Sequence, residues 1–193
     1  MPVFRTVLRF ASLAIVTTLT AAIAAPLQAI QSSDGTVFFD RAPSLIDAFA
    51  SNRTVASGSR VGYSFDLAIP EDAGEPLQRV AIAQLNGESD ARDIDYRLED
   101  TQAFLGKHRR RGDELILGDV SFNDDTQTVT VTFDPPIPPG TDVTIRLRPE
   151  RNPRREGLYQ FGITAFPEGE PAHGQFLGFG RLQFFQRGDV FTR

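Results

Sequence analysis

The sequence predicts an all-β protein, an immunoglobulin-like β-sandwich of about eight strands. Three observations carry that prediction. Several short stretches alternate apolar and polar residues with period two, as strands with one buried face do. Turn residues separate them at intervals of roughly 8–12 residues, the spacing of sandwiches and barrels. After the N-terminal segment, no long stretch shows helical periodicity. Sixteen Phe and no Trp point to an aromatic-rich core.

The strands follow in chain order. Thr36–Phe39 reads as a short apolar strand, and Ser44–Ala50 as a strand, with helix as the alternative. In Val61–Ile69, Val61, Tyr63, Phe65, Leu67 and Ile69 alternate with Gly62, Ser64, Asp66 and Ala68. The inward face is then the apolar set, and Asp66 falls on the other. Pro70–Pro76 forms a loop through its Pro and Gly. Arg79–Leu85 is a strand, Asn86-Gly87 opens a turn, and a short strand is expected around Ile94–Leu98. Ala103–Leu105 runs into a basic turn, Lys107–Gly112. Glu114–Phe122 resumes as one strand with a bulge near Gly118, where the apolar parity slips. Asn123-Asp124-Asp125 turns into Thr126–Phe133, with Val129, Val131 and Phe133 inward. Pro135–Gly140 (PPIPPG) reads as a stiff extended connector, because proline fixes φ and removes a donor. Asp142–Leu147 places Val143, Ile145 and Leu147 inward.

Asn152–Phe166 (NPRREGLYQFGITAF) is the expected centre of the sheet. Tyr159, Phe161, Ile163 and Ala165 share one face there. The Gly157-x-Tyr159-x-Phe161 pattern matches the tyrosine found near a strand start in immunoglobulin-like domains. Phe176–Phe185 is apolar on both parities. That suits a central strand buried on both faces, or an edge strand that adds a partner chain, with Arg181 guarding against unwanted pairing.

The N-terminus reads as a secretory signal peptide over residues 1–29. Arg5 and Arg9 precede the uncharged stretch Phe10–Ala25, and small residues offer cleavage after Ala24 or Ala29. The apolar run is short against the ~20 residues of a bilayer span. A retained anchor is the alternative, and a lipoprotein is excluded because there is no cysteine. Residues 30–193 then form a single all-β domain, large enough to fold without disulfides. The expected location is secreted or periplasmic, with no stable membrane span after cleavage. Absent cysteine also excludes thiol nucleophiles, thiolate metal sites and iron–sulfur clusters. Losing Arg5 and Arg9 lowers the formal charge from −5 to −7. Such an acidic chain is unsuited to general nucleic-acid binding, which rests on phosphate neutralisation. Of its 20 basic residues only Lys107 is lysine.

Several phrases occur together in this order: Asp34–Phe39 (DGTVFF), Gly74–Val80 (GEPLQRV), Phe133–Pro136 (FDPP), Arg148–Pro153 (RPERNP) and Ala172–Gly178 (AHGQFLG). As a set they resemble the cyanobacterial secreted family catalogued as domain of unknown function 2808, over essentially the whole mature chain. The resemblance implies a signal-bearing envelope protein and brings no activity or functional residues.

Enzyme templates are missing: no Gly-x-Ser-x-Gly elbow, no His-Glu-x-x-His, no Gly-x-x-x-x-Gly-Lys. Gly178-Phe179-Gly180 lacks the third glycine of a dinucleotide fingerprint, with Gln183 in its place. A hydrolase working through two carboxylates is a third, weaker reading. There are two histidines. His173, with Glu168 and Glu170, forms the candidate metal set, for copper, zinc or calcium; one histidine without a second ligand at helical or hairpin spacing falls short of a site. His108 sits in a basic run where cations disfavour both its protonation and a bound metal. The carboxylates Asp90, Asp93, Asp95, Glu99 and Asp100 do not match a calcium loop, and Asn52-Arg53-Thr54 fits a glycosylation acceptor by chance. The leading candidates are cationic: Lys107, Arg109, Arg110 and Arg111 in one set; Arg146, Arg148, Arg151 and Arg154 in the other, with Arg155 beyond. Brought together, they make an anion-attracting surface for an envelope protein or acidic polysaccharide; left apart, they are solvated ion pairs. The sequence thus points to a non-catalytic binding module that needs no cofactor, with a periplasmic metal-binding protein as the alternative.

Overall fold

A computed structural model describes residues 34–58, 60–85 and 94–188. The signal segment, the Asn86-Gly87 turn, Asp90 and Asp93 lie outside these residues. Ten strands form in order: β1 (Ser44–Ala50), β2 (Tyr63–Ala68), β3 (Leu77–Leu85), β4 (Gln102–Lys107), β5 (Arg110–Leu115), β6 (Leu117–Asn123), β7 (Thr128–Ile137), β8 (Asp142–Leu147), β9 (Gly157–Pro167) and β10 (Gln175–Phe184). They build two five-stranded sheets, ordered β1-β2-β8-β4-β5 and β10-β9-β3-β7-β6. Every ladder is antiparallel. The immunoglobulin-like sandwich expected from the alternation is what forms, with ten strands rather than about eight.

The apolar parity of β2, β8 and β9 meets between the sheets. Tyr63, Phe65, Leu67, Val143, Ile145, Phe161, Ile163 and Ala165 are all fully buried. Aromatic rings tie the layers: Phe65 meets Phe161 edge-on at 5.6 Å, and Tyr159 meets Phe184 edge-on at 5.4 Å, the arrangement ring quadrupoles favour. Where β10 passes β1 the layers are so close that a Cβ at Gly180 would lie 2.9 Å from both the Ala48 Cβ and the Phe65 ring. The Tyr159 hydroxyl donates to the Arg155 carbonyl at 3.1 Å, the backward tyrosine bond of immunoglobulin-like sandwiches.

Several expected elements form differently. Thr36–Phe39 makes only a single parallel bridge, Val37 to Ala172, and Ile94–Leu98 makes only the Tyr96–Pro149 bridge before a 3-10 turn at Leu98–Asp100. Glu114–Phe122 is two strands, split at exposed Ile116, because β5 pairs with β4 in one sheet and β6 with β7 in the other. The bulge itself is present: the β6–β7 register shifts between Leu117 and Val120. Pro135 and Pro136 are not in a connector but extend β7, whose Ile137 pairs with Leu77; proline's fixed φ is compatible with extended backbone. Phe176–Phe185 is not a central strand. Its β10 is the edge of the second sheet, with Phe176 and Phe179 exposed while Leu182 and Phe184 are buried.

One polar group is wholly enclosed at the end of the sandwich that leads into β9. Asn152 is 0% exposed. Its side-chain oxygen accepts from the Tyr63 hydroxyl at 3.0 Å, and its amide donates to the Asn52 and Thr54 carbonyls at 2.8 Å each. Burial pushes the Tyr63 phenol far above the ordinary tyrosine pKa, so it remains a neutral donor. Asn152→Ala removes the bonds that Asn152 makes to the Tyr63 hydroxyl and to the Asn52 and Thr54 carbonyls, and is expected to cost about 3 kcal/mol. That corresponds to a melting midpoint roughly 6–12 °C lower. Tyr63→Phe, losing one hydroxyl, is expected to cost about 1 kcal/mol. Calorimetry of the two variants checks the order; equal costs would refute the hub.

Candidate anion-binding face

The outer face of the β1-β2-β8-β4-β5 sheet gathers the charged side chains. Its central feature is Asp66 on β2. Parity puts this carboxylate outside the core, yet it is only 2% exposed, because the turn between β4 and β5 folds over it. The His108 backbone N–H donates to both its oxygens at 3.1 and 3.2 Å. His108 Nδ1 lies 2.6 Å from Oδ2. An ionised carboxylate only accepts, so this contact places a proton on Nδ1. Thr144, opposite Asp66 in the β2–β8 register, has its hydroxyl 2.8 Å from Oδ1 and 2.8 Å from the Gly106 carbonyl. The imidazole stacks on Phe49, with centroids 5.0 Å apart and planes 10° off parallel. Its Nε2 is buried and has no hydrogen-bond partner among the described residues. The cationic neighbours expected from sequence are present, but the charged group that touches His108 is Asp66.

Beside this clamp lies a cleft of about 520 Å³. Ile46 and Asp47 of β1, Asp142 of β8, Lys107 at the end of β4, Arg109 of the turn and Arg110 at the start of β5 line it, with Asp66 and His108. Lys107 Nζ pairs with Asp142 Oδ2 at 3.6 Å. Arg109 and Arg110 are exposed and have no carboxylate partner among the described residues.

Away from the turn the same face carries a strip of arginines. Arg146 stands opposite Gln102 in the β4–β8 register and opposite Ser64 in the β2–β8 register. Its guanidinium lies over Gly62, where a Cβ would come within 2.9 Å of Nε, so glycine there leaves the room. Arg148 donates to the Val61 carbonyl at 3.1 Å. Arg111 lies over the Phe104 ring at 5.1 Å, a cation–π contact. Burial first, then Arg148 and Arg111, lowers the Arg146 pKa. Three of the sequence-predicted cations therefore converge. Lys107, Arg109 and Arg110 form the adjoining cleft wall. Arg151, Arg154 and Arg155 are exposed in the loop past β8.

The sequence-predicted metal set is spread on another surface. His173 is exposed and stacks on Phe38 at 4.6 Å, while its backbone N–H donates to the Val37 carbonyl. Glu168 and Glu170 are exposed. Among the described residues no group of three or more His, Cys, Asp or Glu is placed to hold a metal ion. Asp100 is paired with Arg97 at 3.9 Å. Half-buried Asn52, the expected chance acceptor, already uses its side chain on the Thr54 N–H and the Ser57 hydroxyl.

Fold and face together define an immunoglobulin-like sandwich with a cationic outer sheet. The chain belongs to the family described as "Protein of unknown function (DUF2808)", whose model matches residues 36–184. Among solved structures it is similar to the collagen-binding domain of a Staphylococcus aureus adhesin, at 9% identity and TM-score 0.34, covering 76% of this chain and 95% of that one. It is also similar to ACE19, the collagen-binding subdomain of the Enterococcus faecalis surface protein ACE, at 9% identity and TM-score 0.36, covering 72% and 97%. No curated protein sequence matches. Among the described residues no helix is long and apolar enough to cross a membrane.

Two stability predictions follow from the carboxylates. Asp66→Ala leaves buried donors unpaired and is expected to cost about 3 kcal/mol. Amide exchange at His108 should then quicken by more than the global loss accounts for; an unchanged excess would show that the turn holds itself. Near Glu168, Glu75 has its pKa raised by burial first, then by Glu168 and Asp40. A raised carboxyl means that the native state holds the proton more tightly than the unfolded chain. Its contribution to stability is therefore full below the unfolded pKa, about 4.3, and is lost as pH rises through the folded pKa. Glu75→Gln should raise the urea midpoint at about pH 7 and leave it unchanged near pH 3. A gain of equal size at both would point to packing instead of charge.

Proposed function

We propose that this chain is a non-catalytic binding module of a cyanobacterial cell envelope, exported by a signal peptide over residues 1–29 that is cleaved after Ala24 or Ala29. The mature domain takes an anionic partner, an acidic polysaccharide or an envelope protein, on the outer face of the β1-β2-β8-β4-β5 sheet. One observation carries the reading: Arg111, over the Phe104 ring, and Arg148, bonded to the Val61 carbonyl, stand near Arg146, whose guanidinium lies over Gly62 and whose basicity is lowered first by burial and then by these two neighbours. Like charges held together raise each other's cost, and an anion spanning them relieves it. Arg146 has no ion-pair partner among the described residues. Arginine suits the task, since its planar fork binds carboxylates bidentately. The scaffold holds Arg111 and Arg146 on strands and Arg148 immediately after β8, so little ordering is required on binding.

The test is retention of the mature chain on immobilised polygalacturonate across a salt gradient. Retention is expected at low salt and should fall as ionic strength rises. Arg146→Gln and Arg111→Ala should each weaken binding about tenfold, equivalent to about 1.4 kcal/mol. Salt-independent retention, or retention untouched by both substitutions, would overturn the proposal.

A further inference from the structure

The cleft beside the β4–β5 turn has a more specific chemistry than the arginine strip. We infer that it is a saccharide site for a uronic-acid unit, a sugar ring bearing a carboxylate; the inference rests on the anion-binding reading above and names its ligand. Its walls carry opposite charges on separate elements. Arg109 in the turn and Arg110 at the start of β5 lack carboxylate partners among the described residues, whereas Lys107 is already paired with Asp142 at 3.6 Å. Asp47 on β1 and Asp142 on β8 also line the cleft. Ile46 adds an apolar side chain that is 49% exposed.

A neutral glycan would leave both arginines unmatched. A sulfated or phosphorylated polyanion would bring dense negative charge against Asp47 and Asp142. A uronic acid meets all three surfaces: its carboxylate with the arginine forks, its hydroxyls as donors to the aspartates, its C–H face against Ile46. The cleft's volume, about 520 Å³, falls within the usual range of small-ligand sites, about 300–1,000 Å³. The site is also preorganised. Its floor is Asp66, saturated by His108 and Thr144, and the His108 ring is braced by Phe49. Asp142 and Arg146 are on one strand, about 13 Å apart at ~3.3 Å per residue. A polymer seated in the cleft therefore continues onto the arginine strip.

The experiment is isothermal titration of the mature chain with trigalacturonic acid, its methyl ester and dextran sulfate. It is repeated on Asp47→Asn, on Arg109→Ala/Arg110→Ala and on Arg146→Gln. The Asn at position 47 retains the acceptor for the Ala48 N–H, which the native carboxylate meets at 2.9 Å, so folding is not at issue, and thermal melts of all variants confirm it. The acid should bind at least tenfold more tightly than its ester. The double arginine variant should abolish that binding, and Asp47→Asn should weaken it several-fold. If trigalacturonic acid binds with no sensitivity to Asp47 or to the arginine pair, or if dextran sulfate is held equally well and by the same residues, the saccharide site is refuted. If the trimer fails while polygalacturonate retention still depends on Arg146, the cleft inference falls and the binding-module reading stands. Loss of both refutes the two together.

Discussion

A carboxylate that is 2% exposed must be satisfied by donors or it is very costly, and Asp66 organises its sheet face under that constraint. Its donors come from the turn (the His108 backbone and ring) and from the neighbouring strand (Thr144). Nothing in the hairpin's own ladder demands that the turn lie back over β2. The buried charge does, because its acceptor sites are filled only when the turn is in place. The cleft, its cationic wall and the Phe49–His108 stack all follow from that one arrangement. A loop rich in arginine would otherwise spread into solvent under its own repulsion; here its first residues are fastened to the sheet.

At the other end of the sandwich the same logic is carried out without charge. Asn152 uses both donors and its acceptor inside the protein, joining the loop after β1 to the loop before β9. A few residues on, Tyr159 bonds back to Arg155 and sets the entry to β9. Both ends of the sandwich thus have a saturated polar anchor, and the aromatic layer lies between them. Anchors of this kind are what a binding surface built from strand side chains requires.

The fold was legible where parity was clean. Val61–Ile69, Asp142–Leu147 and Tyr159–Ala165 each announced a strand and its buried face, and the tyrosine pattern pointed to the architecture. Legibility failed where two strands ran on without a turn signal. Ile116 carries the chain from one sheet to the other with no Gly or Pro to mark it. The prolines at Pro135 and Pro136 read as a connector because period two says nothing about residues that merely extend a strand. At the site, the residue types were visible but their meeting was not. Arg111 and Arg146 are far apart in sequence and come together only because β4 is placed between β5 and β8. Asp66 was counted as a solvent-face residue, since alternation assigns a face and cannot report that a distant turn will cover it.

The composition of the cleft has a practical corollary. Lysine occurs once in the whole chain, at Lys107, and that residue is part of the cleft wall. Amine-selective chemistry therefore has a single side-chain address on this molecule, located where a ligand would sit. A fluorophore or crosslinker coupled there reports on occupancy of the cleft without any engineered handle. The same scarcity means that acetylation or carbamylation of side-chain amines would remove charge at one place only, releasing Asp142 from its partner while leaving every arginine untouched.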